Sequence, residues 1–245
     1  MMKIVVFTIC KNENPMVKFF LRHYSLFASK IVVWDEHSTD GTREILAANP
    51  LVDLRYWPHQ GLNDVQFLKT VNHAWKDEPC DWVMWPDIDE MLYAPNVYHT
   101  LATAKEDVIR SIGYALISKD GFDPDDPRQI YEQVKTGVPQ PNYDKWIVWR
   151  PTVDMVHTIG RHTVPRMFPR TTGSIGNVAK LKLLHCHYIG GLEYAKKMNQ
   201  RNYDRAVDKR FAWNYAPGHN GDPKQVGSVA WVERILRNNE LGTVV

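Results

Sequence analysis

The stretch Asp81–Leu92, DWVMWPDIDEML, runs through an apolar, aromatic segment and then directly into Asp87, Asp89 and Glu90. Trp82–Trp85 is short, wholly apolar and closed by a proline, the pattern of a strand covered on both faces. Such strands belong to parallel sheets with helices on either side. In open α/β sheets, ligands bind just beyond the carboxyl ends of the strands. The segment therefore predicts a buried strand that delivers three carboxylates to the mouth of a cleft.

Working outward, the same alternation recurs. Lys3–Ile9 (KIVVFTI), Lys30–Asp35 (KIVVWD) and Leu51–Trp57 (LVDLRYW) read as further strands. Between them, Val17, Phe20, Leu21, Tyr24 and Phe27 fall at helical spacing after Pro15, a helix follows STDGT with Glu44 in its first turn, and Leu62–Trp75 is helical. Strand and helix alternating at short spacing predict an α/β fold with a mostly parallel sheet. The second half is less regular. Val108–Ser118, Lys145–Pro151 and Lys180–Gly190 read as strands, and Leu192–Arg210 as a strongly basic helix followed by a last one over AWVERILRN. No repeat, linker or domain break interrupts the 245 residues, so one domain is expected over 1–245, with a ligand-binding half 1–92 and a second half 93–245.

Composition fits a soluble globular chain, at 44% hydrophobic and 24% charged residues. No apolar run approaches the roughly 18 residues that span a bilayer. The apolar start lacks the length and cleavage site of a signal peptide. Three cysteines without framework spacing point to a reduced, cytoplasmic setting. Net charge is only +2, but residues 1–130 carry −6 and residues 131–245 carry +8. That asymmetry suggests either an anion meeting the second half or two surfaces that cover each other.

Asp87 and Asp89 at i, i+2 after a buried strand suit Mg²⁺ or Mn²⁺ shared with substrate phosphates. The plainer alternative is a turn in which Asp89 and Glu90 cap a following helix. His185 and His187, on one face of a strand, are either metal ligands or ordinary polar residues of a half-exposed strand, and no other Cys or His cluster completes a zinc site. Lys197, Arg201 and Arg205 share a face of the basic helix at i, i+4 and i+8, fitting a diphosphate, a polyanion or plain solvation. Lys69, on the helix before the acidic stretch, is a further phosphate-binding candidate.

The segments KNENPMVKFFLRHYSLFASKIVVWDEHSTDGT, WVMWPDIDE and LLHCHYIGGLEY resemble the GT-A class of glycosyltransferases, more narrowly its small bacterial and phage family 2-like members, across roughly Lys3–Asp208. The resemblance implies a Rossmann-like sheet, a nucleoside-diphosphate-sugar donor, of which a UDP-sugar is the expected type, and a divalent metal on a D-x-D motif. It places Asp35 at the nucleotide base or ribose, and Thr8, Lys11, Asn12 and Glu13 in the same pocket. Asp89 becomes the direct metal ligand and so part of the catalytic group, with Asp87 near the ribose or a metal-bound water and His185 completing the site. An aromatic is usual where this chain has Cys186.

An inverting reaction needs a general base, drawn from Asp120, Asp123, Asp144, Asp154 and His162. Two acceptors are open: a hydroxymethylated pyrimidine in phage-type DNA, read by basic and aromatic side chains, and a surface or capsular glycan. Two other classes stand beside this reading, a binding module without turnover and a nucleotidyltransferase. The latter usually carries a Gly- and Arg-rich loop after the first strand, and TICKNENP has none.

Overall fold

The computed structural model describes residues 1–58, 61, 63–158, 161–162, 174–205 and 229–245. The first four strands are β1 (Ile4–Cys10), β2 (Lys30–Asp35), β3 (Val52–Tyr56) and β4 (Trp82–Met84). They lie in the order β3-β2-β1-β4, all parallel, the Rossmann-like core expected from the sequence. Helices α1 (Met16–Tyr24), α2 (Thr42–Ala47) and α3 (Asp64–His73) make the crossovers.

The continuous apolar runs are explained by burial on both faces. On one face of β1, Ile4 and Val6 pack with Phe20 and Tyr24 of α1 and Leu46 of α2. On the other, Val5 and Phe7 join Trp34, Trp85, Val71 and Trp75. Phe7 of β1, Trp34 of β2 and Trp85 just past β4 stack together, with centroids 5.1 Å apart for Phe7–Trp85 and 5.6 Å for Trp34–Trp85.

Beyond β4 the sheet becomes mixed. The remaining strands are β5 (Glu90–Tyr93), β6 (Val108–Ile117), β7 (Thr136–Pro139), β8 (Lys145–Trp149), β9 (Ile175–Tyr188) and β10 (Gly242–Thr243). β8 runs antiparallel to β4 and to β6, while β9 runs parallel to β6 and antiparallel to β5. Following these pairings, only β5, β7 and β8 oppose the direction of β1, so the described sheet is mostly parallel. The short helices α4 (Val97–Ala102) and α5 (Ile130–Gln133) precede β6 and β7, and α6 (Gly191–Arg205) and α7 (Val229–Arg237) pack on Ala115, Ile117 and Tyr188. Residues 206–210, expected to prolong the basic helix, lie outside the described residues.

One alternative raised by the sequence is overturned. Asp89 and Glu90 cap no helix, because the chain reverses at Pro86–Asp89 and Glu90 opens β5. One edge of β5 pairs with β9. Leu92 N–H on β5 donates to Tyr24 Oη at 3.1 Å, Tyr24 Oη donates to Glu90 O at 3.0 Å, and His23 Nε2 lies 3.0 Å from Leu92 O. Side chains of α1 thus stand in for a neighbouring strand and leave β5 no bare edge. Sequence periodicity cannot announce a four-residue strand held in this way.

Candidate active site

The turn between β4 and β5 sends its three carboxylates two ways, Asp87 and Glu90 to a shared lysine and Asp89 to β9. Asp87 Oδ2 meets Lys145 Nζ at 2.8 Å and Arg161 Nη2 at 2.6 Å. Glu90 is fully buried and turns inward, with Oε1 2.5 Å from the same Lys145 ammonium and Oε2 accepting the Asp87 N–H at 3.0 Å. Asp89 points to β9, with Oδ2 3.4 Å from His187 Nδ1 and 4.0 Å from His185 Nε2. The strand register enforces the last arrangement, since Glu90 pairs with His185 and the Cys186 N–H donates to Asp89 O at 2.7 Å.

The charges answer one another. Burial would raise the Asp87 carboxyl, but Arg161 and Lys145 outweigh it and hold it far below the usual carboxylate range. Burial would lower the Lys145 ammonium, but Asp87 and Glu90 raise it above its ordinary value. Asp89 is likewise raised by burial and brought well below its usual range by His185 and His187. His185 is pushed down by burial, against the pull of Asp89 and Glu90. Its ring stacks on Tyr143 at 4.4 Å, and its buried Nδ1 has no hydrogen-bond partner among the described residues. His187 Nε2 lies 3.1 Å from Asn199 Oδ1 of α6.

A second layer surrounds the loops after β1 and β2. Asp35 is fully buried; its carboxylate accepts the Ser38 N–H at 3.2 and 3.3 Å and pairs with Arg43 at 3.4 Å. Glu36 gathers Lys11 Nζ at 3.2 Å, the Gly61 N–H at 2.8 Å and Arg205 Nη2 at 3.2 Å. Asn12, with φ 53°, is fastened by Ser38 Oγ and the Thr39 N–H, both at 2.8 Å. Glu13 pairs with Arg201 at 2.9 Å; burial pushes its carboxyl up, Arg201 opposes this and nearby Asp89 adds to it. A cavity of about 300 Å³ opens between this loop and α6, lined among others by Asn12, Glu13, Asp40, Tyr194, Lys197 and Arg201.

Among the residues singled out from the sequence, Asp87, Asp89, His185 and His187 converge, and Asn12, Glu13, Lys197 and Arg201 share the cavity. Thr8 is buried in β1 with no partner for its hydroxyl among the described residues. Lys11 reaches Glu36, and Asp35 serves the turn that follows it. Lys69 is exposed on α3 and does not line the cavity. Asp144 accepts the Gly113 N–H at 2.7 Å and pairs with Arg110 at 3.1 Å, so both oxygens are engaged. Asp154 is half-exposed and pairs with Lys76 at 2.8 Å. Asp120 and Asp123 lie in the loop after β6. His162 is half-buried, with Nδ1 3.1 Å from Asp144 O. Arg201 and Arg205 do not form an open cationic stripe; they face inward onto Glu13 and Glu36.

Lys145, Arg161, Glu36 and Asn199 were not anticipated. Lys145 had a faint signal, a cation opening the otherwise apolar strand KWIVW. Glu36 stood beside Asp35. Arg161 and Asn199 had none.

Among the described residues, no three His, Cys, Asp or Glu side chains form a ready-made metal cage. An ion shared with a diphosphate needs less: one or two carboxylates, with phosphate and water oxygens filling the remainder. Asp89 fits that demand, facing two imidazoles. Asp87 fits it poorly, since its Oδ2 already holds two cations.

Fold and site define a Rossmann-like α/β domain with an acidic turn and paired histidines at the carboxyl edge of its parallel strands. No family profile and no curated protein matches the sequence. Among solved structures, S. aureus TarS 1–349 is 13% identical, with a TM-score of 0.49 over 87% of this chain and 69% of that one. The same TarS segment is also known in complex with UDP-GlcNAc, 14% identical with a TM-score of 0.46. HddC from Yersinia pseudotuberculosis is 11% identical, with a TM-score of 0.41 over 81% of this chain and 98% of that one. The galactosyltransferase LgtC, in complex with donor and acceptor sugar analogues, is 13% identical, with a TM-score of 0.29 over 44% of this chain and 46% of that one. Likenesses of this degree assign no family and carry no argument about activity.

Proposed function

We propose that this chain is a glycosyltransferase that moves a sugar from a nucleoside diphosphate, of the UDP type, to an acceptor hydroxyl with Mn²⁺ or Mg²⁺. The observation that carries the reading is Asp89 set against His187 and His185 at the carboxyl edge of the parallel strands. Asp89 and His187 would hold the ion, which when bound neutralises charge on the departing diphosphate. Lys197, exposed on the cavity wall, is placed to meet a phosphate oxygen. Lys145 and Arg161 keep the buried acidic turn neutral enough to stay in place.

His162 is our choice for the general base. The carbonyl of Asp144 only accepts, so Nδ1 carries the proton and Nε2 offers its lone pair. Burial first, and Lys145 second, push its pKa down, which favours the neutral form a base requires. As acceptor we propose a neutral glycan. Arg201 and Arg205, which would have bound DNA phosphates, are already paired with Glu13 and Glu36.

Calorimetry with a panel of nucleoside diphosphates tests the donor. UDP is expected to bind more tightly with Mn²⁺ present, and Asp89→Asn to remove that gain. An equal Mn²⁺ gain in the variant would refute the metal role, and the absence of any nucleotide binding would refute the whole reading. Mass spectrometry of glycan and hydroxymethylated DNA acceptors after incubation with donors then decides the acceptor. Binding without product from any donor would leave a binding module.

A further inference from the structure

We infer that Asn199 of α6 is a positioning residue that locks His187 as the Nε2–H tautomer, making His187 rather than His185 the imidazole that joins Asp89 on the ion. The inference rests on the metal-dependent reading above, but its first half stands without any metal.

Asn199 Oδ1 can only accept a hydrogen bond, so the atom 3.1 Å from it, His187 Nε2, must carry a proton. Both residues are buried, at 5% and 6% exposure, so water does not compete for that bond. With the proton on Nε2, the ring's other nitrogen, Nδ1, is the one that faces Asp89 Oδ2, across 3.4 Å. A second proton on Nδ1 or an ion between the two atoms can serve that carboxylate, and an ion takes the lone pair that the proton would occupy. The gap is wider than the 2.7–2.9 Å or so of a tight charge-assisted bond, and wider also than the roughly 3.0 Å that separates neighbouring ligands on an octahedral ion with bonds of about 2.1 Å, so the two ligand atoms stand apart enough to admit one.

His185 lacks such support. Its Nε2 stands 4.0 Å from Asp89 and 3.7 Å from Glu90, and among the described residues its Nδ1 has no acceptor to fix the tautomer. Metal-bound imidazoles almost always donate their other N–H to an acceptor that orients the ring. His187 meets that condition in the folded chain and His185 does not. The same helix sends Arg201 to Glu13 and Arg205 to Glu36. Asn199 is therefore carried on an element tied down on both sides of the site.

The experiment has two arms. In metal-free protein labelled with ¹⁵N-histidine, long-range ¹H–¹⁵N spectra read the tautomer of His187. Wild type is expected to show Nε2–H, and a wild-type ring protonated on Nδ1 but not on Nε2 would overturn the proposal even if every variant misfolds. Asn199→Leu, which keeps size and loses the acceptor, is expected to give a mixed or reversed tautomer, while Asn199→Asp keeps Nε2–H. In the second arm, Mn²⁺ binding is followed by electron paramagnetic resonance. Asn199→Leu and His187→Ala are expected to weaken binding about 10–100-fold, and Asn199→Asp and His185→Ala only a few-fold. An unchanged tautomer with Mn²⁺ affinity within about twofold in Asn199→Leu would overturn the inference, as would a larger loss in His185→Ala than in His187→Ala. Wild type that binds no Mn²⁺ yet shows the locked tautomer would instead refute the metal-dependent reading and the His187 ligand role, and leave Asn199 as the lock.

Discussion

Replacing Lys145 by Met tests how the acidic turn survives burial. Met keeps most of the length and removes the ammonium that stands 2.8 Å from Asp87 and 2.5 Å from Glu90. Asp87 retains Arg161, but Glu90, with no exposed surface, is left with no cation at contact distance among the described residues except a His185 that burial keeps toward neutral. Removing one partner of a buried ion pair costs about 3–5 kcal/mol, and the lower end applies because Asp87 keeps its arginine. For a chain of this size that corresponds to a Tm lower by roughly 6–12 °C. The loss should also depend on pH. In wild type, the depressed Asp87 carboxyl contributes stability that is full above the unfolded value near 3.9 and is lost as pH falls below it. The variant, without Lys145, has less of that contribution to lose, so the gap between the two proteins narrows below about pH 4. Urea melts at neutral pH and near pH 3 measure it, with the double variant Lys145→Met/Glu90→Gln expected to regain most of the loss. A single-variant cost under about 1 kcal/mol, or a double variant no better than the single, would refute this account of the cluster.

Other outcomes can be checked on the same preparations. Burial holds His23 and His157 near pKa 4, so between that and the unfolded value of about 6.5 the unfolded chain binds more protons; stability is full above pH 6.5 and falls by up to about 3 kcal/mol per histidine toward pH 4, and His23→Gln should flatten the slope in chemical melts. Tyr24→Phe strips the hydroxyl shared by Glu90 O and Leu92 N–H, costing about 1–3 kcal/mol, with faster amide exchange at Leu92 as the local sign. Arg201→Ala should leave the salt dependence of any DNA attraction unchanged, since its charge is engaged by Glu13; a log–log slope flattened by about one would place it on a phosphate instead.

What could be read from the sequence followed from strong local pattern. The Lys30–Asp35 strand matched its observed bounds, and β1, β3, β4, β6 and β8 lay within a residue or two; β1, β2 and β4 because runs buried on both faces leave an unbroken apolar signature, β3 and β6 because their apolar residues alternate with polar ones as in a strand covered on one face. β5, β7 and the short helices α4 and α5 had none, being held by distant partners such as Tyr24 and β9. The acidic turn and the two histidines were visible as residue types. The division of labour among them was not. Whether Asp87 or Asp89 is open to a cation depends on Lys145 and Arg161, which lie 58 and 74 positions from Asp87 and meet it only in the fold. The basic helix was misleading for the same reason, because spacing shows which face Arg201 and Arg205 share but not that Glu13 and Glu36 lie beneath it.

The aromatic stack over β2, β1 and the end of β4 gives the molecule an optical property. Trp34 and Trp85 lie 5.6 Å apart with ring planes inclined by 13°, close enough for their transitions to couple. A signed pair of circular-dichroism bands is expected from the native protein, and the share of it that Trp34→Phe removes belongs to this pair, since Trp75 and Trp149 couple separately at 5.7 Å. Trp85 is joined through Pro86 alone to Asp87, so a shift of the acidic turn by a fraction of an ångström changes the angle between the two indoles. The domain carries its own spectroscopic gauge of the site, readable without label or substrate.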